Sequence, residues 1–151
     1  MIHEATIEDV ESLLPLAYEF HRGTTHFNDY DVEMEESAVC DMIAHLIQAD
    51  HGCVLIATVD GKLAGTAGML ATPLWSAPSH MTGVEIFYYV FPEYRRSGIA
   101  EELFDGIETW SKEHCDTFNM VSLERMNGPR IGKLYEKRGY QKLETSYVKR
   151  M

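Results

Sequence analysis

Residues 84–103, VEIFYYVFPEYRRSGIAEEL, decide the reading of this chain. Val84 to Phe91 is an apolar run of strand character, and Pro92, Glu93 and Tyr94 form a short turn. Arg95-Arg96-Ser97-Gly98 then leads into a helix that begins near Ile99. A helix start carries unpaired backbone N–H groups and the positive end of the helix dipole. Gly98 lets an anion approach the main chain with no Cβ in the way, and the two arginines add charge beside it. The segment therefore predicts an anion site suited to phosphate. Other phosphate loops do not fit, because there is no G-x-x-x-x-G-K-[ST], and a lone Gly98 cannot build G-x-G-x-x-G. The competing reading is an ordinary strand-to-helix turn with a solvated basic patch.

Outward from this stretch, the bulk numbers bound the rest. A chain of 151 residues with 45% hydrophobic residues suits a single domain, 1–151, able to bury a core without metal or disulfide support. The start MIHEATIEDV has neither a basic nor an apolar leader region, and no apolar run is long enough to span a bilayer, so a cytoplasmic protein is expected. Cys40, Cys53 and Cys115 are odd in number and far apart, which predicts reduced thiols. The seven histidines show no ligand spacing, and no metal is expected. Thirteen Lys and Arg against 24 Asp and Glu give a formal charge of −11, which argues against nucleic acid or anionic membrane as partner and suits a cationic substrate.

Along the chain, Ile2 to Ala5 reads as a strand, and Thr6 with Asp9 as a capping box opening a helix over residues 7–22 that Pro15 kinks or divides. A second helix is expected from Met34 or Glu36 to Ala49. Cys53 to Val59 and Lys62 to Ala71 read as a hairpin joined by Asp60-Gly61. Thr72 to His80, with two prolines, reads as an irregular loop whose Leu74 and Trp75 could lie over a pocket. A helix over residues 99–114 follows, with Glu101 and Glu102 placed outward, then a strand from Phe118 to Glu124. A short helix from Pro129 to Arg138 is closed by Gly139, and Tyr140 to Lys149 is a last extended stretch. The order gives a mixed α/β sheet.

Arg95, Gly98 and Ala100 in R-x-x-G-x-A spacing directly after a strand resemble the acyl-CoA segment of the GNAT superfamily of N-acyltransferases. Asn127 followed by Tyr135-Glu136-Lys137-Arg138-Gly139-Tyr140 resembles its second signature, Y-x-x-x-G-[FY] after an Asn. The family usually separates that Asn and Tyr by seven positions, and this chain by eight, with Gly128-Pro129 near the helix start. The resemblance implies a mostly antiparallel mixed sheet with about four flanking helices. It also implies acetyl-CoA as co-substrate, a central strand splayed from its neighbour, and direct attack by an amine. It assigns co-substrate binding to the main chain around Tyr89, Val90 and Phe91, to Arg95, Arg96, Ser97, Gly98, Ile99 and Ala100, and to Asn127.

Two side chains are the catalytic candidates. Tyr135 is protonated at neutral pH and could donate to a departing thiolate, or could simply pack as a helical aromatic. Glu85, a lone carboxylate in an apolar strand, could serve as base, or could sit inert at the strand's wet end, with Glu124 as second choice. In this family the segment after the first helix helps wall the acceptor site, which makes His26, Phe27, Asp29 and Tyr30 candidate contacts, with a plain surface loop as the other reading. The acceptor, a small-molecule or protein amine, stays open, as does a homodimer. Similar proteins often carry two final strands whose loop covers the acceptor, whereas YQKLETSYVKRM has room for one long strand or a very tight pair, so the resemblance implies an acceptor site that is open, complemented by another subunit, or suited to a bulky substrate. A non-catalytic acyl-CoA-binding module is the competing class.

Overall fold

The computed structural model describes residues 1–24, 32–124 and 126–151, and the elements follow from local sequence. His26, Phe27, Asp29 and Tyr30 lie outside the described residues. Strand β1 (Ile2–Glu4) is followed by a 3-10 stretch, Ile7–Leu13, and helix α1, Leu14–Gly23. The Thr6 amide and hydroxyl both donate to the Asp9 carboxylate, at 2.8 and 3.0 Å, so the expected capping box opens this region. Pro15 divides it, sitting in the first turn of α1, where a missing N–H costs nothing. Helix α2 spans Glu36–Gln48.

Strand β2, Gly52–Val59, is buried on both faces. Cys53, Leu55 and Ala57 enter one core cluster and Val54 and Ile56 the other, following the two-residue period of a strand. Asp60 and Gly61 both take positive φ, 50° and 73°, as a tight hairpin turn requires, and lead into β3, Lys62–Leu74. The stretch 72–80 is not the loop that its prolines predict: β3 runs on to Leu74, and β4, Ala77–Val90, starts after only two intervening residues. The prolines are accommodated because pairing shifts between Pro73 and Leu74, leaving residues 78–80 of β4 outside the register. Trp75, at the tip, is 91% exposed.

After a 3-10 turn at Pro92–Tyr94 comes helix α3, Ile99–His114, then β5, Thr117–Asn119, and helix α4, Gly128–Lys137. The sheet order is β1-β2-β3-β4-β5, antiparallel except for the parallel pair β4–β5. This is the mixed, mostly antiparallel α/β sheet expected, with four α-helices among the described residues. Helix α3 covers one face, where Ile99, Leu103 and Ile107 are at most 2% exposed. The 3-10 stretch, α1 and α2 cover the other with Val10, Leu13, Leu16, Ile43 and Leu46.

Two expected strands differ. β5 stops at Asn119 instead of Glu124, and residues 141–151 are exposed and form no strand. Phe104 ties α3 to α4. It is 1% exposed, meets the rings of Tyr88, Tyr135 and Tyr140, and carries the Arg138 guanidinium 4.4 Å from its ring centre. Phe104→Ala is expected to cost about 3–5 kcal/mol, read as a lowered midpoint in denaturant, because so many partners lose contact at once.

Candidate functional site

The site begins where β4 and β5 part. Thr82↔Thr117, Gly83↔Phe118 and Val84↔Asn119 pair in parallel, and then the ladder ends. Gly83 lets the strands close there, since a Cβ on it would stand 2.4 Å from the Cys115 sulfur and 2.5 Å from the Phe118 ring. Two residues beyond the last pair, β4 bulges. Gly68 pairs with Phe87 and Met69 with Glu85, which leaves Ile86 as the extra residue and bends the strand. From Glu85 to Val90, β4 keeps β3 on one side and has no strand neighbour on the other among the described residues.

The Phe91 N–H donates to the Ala64 carbonyl at 2.9 Å, so its amide is spent on β3. Alternation then turns the main chain of Tyr89 toward β3 and that of Tyr88 and Val90 to the open edge. Arg95 Nε donates to the Val90 carbonyl at 3.0 Å, and its guanidinium lies 5.4 Å from the Tyr89 ring centre. Arg95 thus bridges the open edge and the turn that follows.

That turn is built locally. The Ser97 amide and hydroxyl both donate to the Tyr94 carbonyl, at 3.0 and 2.7 Å. Gly98 follows at φ 86°, and a Cβ there would meet nothing within 4 Å. Glycine is therefore required by the backbone conformation, and the space above it is open. The Ile99 amide makes only a long contact to Ser97 Oγ, 3.4 Å, and the amides of Ala100 and Glu101 have no carbonyl partner among the described residues. Arg95 and Arg96 are exposed beside them. The turn therefore presents amide donors and cations together, the arrangement a phosphate needs. Glu102 does not oppose it directly, since its carboxylate faces the Met1 ammonium at 3.7 Å beside a cavity of about 470 Å³ lined by Ser97, Ile99 and the Asp60–Gly61 tip.

The two catalytic candidates meet at one residue. Glu85, 7% exposed, accepts the Val121 N–H at 3.0 Å, and the Tyr135 hydroxyl donates to the Val121 carbonyl at 3.0 Å. Val121 lies two residues past the last β5 pair, so these bonds replace strand pairing and explain why β5 ends early. Burial pushes the Glu85 carboxyl up to about 7, partly offset by the Val121 amide. Burial, with the Glu85 charge second, also raises the Tyr135 hydroxyl, which keeps its proton at neutral pH.

Asn127 is placed differently. It is exposed at φ 63° ahead of α4, its carbonyl accepts the Arg130 and Ile131 amides, and its side chain caps nothing. Gly128 is buried, and a Cβ on it would stand 3.0 Å from the Leu123 carbonyl oxygen, a tight fit that favours glycine there. Glu124 is exposed. Tyr88, not singled out by the sequence, donates to the Ala100 carbonyl at 2.9 Å and ties β4 to the first turn of α3. Its position in an aromatic run gave no signal of this.

Burial pushes the Cys53 thiol up to about 12, so it is no nucleophile at neutral pH. Among the described residues no three His, Cys, Asp or Glu side chains gather as metal ligands, and no helix is long and apolar enough to cross a membrane.

Comparison with known proteins agrees with this geometry. No curated protein sequence matches the chain. Solved structures do match its fold. A ribosomal-protein-alanine N-acetyltransferase from Brucella melitensis biovar Abortus 2308 is 22% identical with a TM-score of 0.71, covering 100% of this chain and 99% of that one. A mutant of the BH1408 protein from Bacillus halodurans is 18% identical with a TM-score of 0.81, covering 100% and 99%. An aminoglycoside N-acetyltransferase in complex with CoA is 18% identical with a TM-score of 0.75, covering 100% and 93%. The acetyltransferase (GNAT) family model matches residues 10–140, and the chain belongs to that family of N-acetyltransferases.

Proposed function

We propose that this protein transfers the acetyl group of acetyl-CoA to a primary amine by direct attack. The observation that carries the reading is the convergence of Glu85 and Tyr135 on Val121, at the mouth of the gap between β4 and β5. The co-substrate supplies the thioester. Its pyrophosphate would lie on the amides from Gly98 to Glu101 beside Arg95 and Arg96, and its pantetheine arm along the open edge at Tyr88 and Val90. The solved relative that holds CoA supports this choice of donor.

Glu85 takes a proton from the acceptor's ammonium, directly or through water, and releases it to solvent. The neutral amine attacks, the C–N bond forms and the C–S bond breaks. Tyr135 gives its proton to the departing sulfur and is restored by the proton that the acylated nitrogen sheds. The acceptor is an amine of a small molecule or a protein, and a formal charge of −11 favours a cationic one.

A second reading has its own observation. Both side chains already hold main-chain groups of Val121, a bracing role that a non-catalytic acyl-CoA-binding module would also need. Thiol release separates the two: turnover with any of a panel of primary amines supports the enzyme, and CoA binding without turnover supports the module. The donor site is tested by a thermal melt. Acetyl-CoA at a hundredfold excess over Kd should stabilise by about 2.7 kcal/mol, or about 5–10 °C for a domain of this length. Gly98→Asp should abolish the shift, because it adds a negative charge and a side chain at a φ of 86°. A full shift in that variant would remove the turn from the donor site.

A further inference from the structure

We propose that Tyr88 is a positioning residue for the acyl donor: its hydroxyl fixes the phosphate turn at a set distance from the open edge of β4, so that one acyl-CoA molecule engages both at once. This role rests on the reading that the turn at Gly98 and that edge hold the acyl donor. The two half-sites belong to different elements. The amides of Ile99 to Glu101 lie in the first turn of α3, and the main chain of Tyr88 and Val90 lies in β4. Residues 91–98 run between them through a 3-10 turn and Gly98 at φ 86°, a connection of turns that does not by itself fix their spacing.

Helix α3 is held on the sheet by Ile99, Leu103 and Ile107. Apolar packing of this kind is non-directional, and packed helices slide by small shear movements. A hydrogen bond is directional, and the Tyr88 hydroxyl donates to the Ala100 carbonyl at 2.9 Å. Among the described residues it is the one hydrogen bond that joins β4 to α3. Ala100 lies within the run of amides that face the phosphate, and the Tyr88 main chain lies on the edge, so the bond ties the two half-sites together directly. The ring is seated edge-on against Phe104, with centroids 6.3 Å apart. Burial, with the charges of Glu101 and Glu85 behind it, pushes the Tyr88 hydroxyl up, so it keeps its proton and stays a hydrogen-bond donor. Folding does not demand that hydroxyl. The Ala100 carbonyl sits inside α3, where the amide four residues on also bonds it, and a phenylalanine at 88 would leave no orphaned group. A ligand with two anchors on one arm binds best when the protein's two half-sites match the span. Loosening that span weakens a two-anchor ligand and leaves a one-anchor ligand untouched.

The test compares wild type with Tyr88→Phe on two acyl donors, acetyl-CoA and S-acetylpantetheine, which keeps the thioester and the arm but has no pyrophosphate. In the variant, the calorimetric Kd for CoA should rise about 3–10-fold, the worth of one hydrogen bond, and kcat/KM for acetyl-CoA should fall by the same factor. Its kcat at saturating acetyl-CoA should stay within about twofold of wild type. With S-acetylpantetheine, kcat/KM should not change. An unchanged far-UV spectrum shows that the fold is kept. A merely structural role would lower both acyl donors alike, so equal losses overturn the proposal, and no change with either overturns it too. Wild-type CoA binding without turnover would remove acetyl transfer alone, and the Kd values of CoA and pantetheine would then decide the role of Tyr88 by the same contrast. A wild-type protein that binds no CoA overturns both.

Discussion

Tyr135→Phe is expected to lower kcat by about 10²–10⁴-fold, the range for loss of a positioned general acid, with KM for acetyl-CoA close to wild type. The ring stays, so its packing on Phe104 and Tyr140 is kept. What goes is the proton donor and the bond to the Val121 carbonyl. Losing that bond should cost about 1 kcal/mol of stability, a fall of a few degrees in Tm. The two effects differ in size and readout. Steady-state thiol release reports the first and a melt the second. A lowered Tm with unchanged kcat would assign Tyr135 to bracing alone, and the proton on the thiolate would then come from solvent. The raised hydroxyl keeps its proton throughout the working pH range, and because it is a weaker acid than a thiol, its transfer to the departing sulfur has to be coupled to reprotonation of the phenolate by the acidic proton of the acylated nitrogen.

Much of the fold was legible because its signals are local. The Asp60-Gly61 turn, the bounds of α3 at Ile99 and His114, and Gly139 at φ 92° each follow from one or two residues whose backbone preference is strong. The two-faced burial of β2 was legible as a continuous apolar run. The long β3–β4 arm was not. Pro73 and Pro78 read as breakers, and only the register shift that sets residues 78–80 outside the pairing shows how a hairpin tolerates them. β5 misled in the opposite direction. Residues 118–124 have strand character, but Val121 takes its partners from the side chains of Glu85 and Tyr135 instead of the β4 main chain, a choice made by residues 36 and 14 positions away.

The site shows the same division. The phosphate turn carries its own marks in sequence, because a basic pair, a glycine and a helix start are adjacent. Contacts made through main-chain atoms carry none. Arg95 reads as a charge for a ligand, yet its Nε also holds the Val90 carbonyl on the open edge. Tyr88 is one of two adjacent tyrosines, and only the strand's alternation sends its hydroxyl to Ala100 and its main chain to the gap. Glu85 and Tyr135 were each suggestive alone, as a carboxylate in an apolar strand and a phenol before a glycine. Their meeting at Val121 is made through that residue's main-chain N–H and C=O, beside a bulge at Ile86, and neither has a side-chain signature.

Glu85→Gln is expected to act on rate and stability in opposite directions. With the carboxyl pushed up to about 7, wild-type kcat should rise with pH through that value as Glu85 becomes able to accept a proton. The glutamine variant should lose that inflection and fall about 10²–10⁴-fold in kcat at pH 8, measured with the same amine so that the acceptor's own ionisation cancels. Stability runs the other way. The folded-state pKa is raised above the unfolded one, so the favourable contribution of this group is fully present below its ordinary range. It is lost as pH rises through about 7. Above that, holding a buried carboxylate costs on the order of 3 kcal/mol. A glutamine at this position carries no such cost, and its amide oxygen can still accept the Val121 N–H. The variant should therefore melt several degrees above wild type at pH 8 and together with it near pH 4. Equal melting at both pH values would show that Glu85 titrates as an ordinary carboxyl, and the case for it as the base would fail. A higher Tm with unchanged kcat would keep the buried carboxyl and pass the proton from the ammonium to another acceptor.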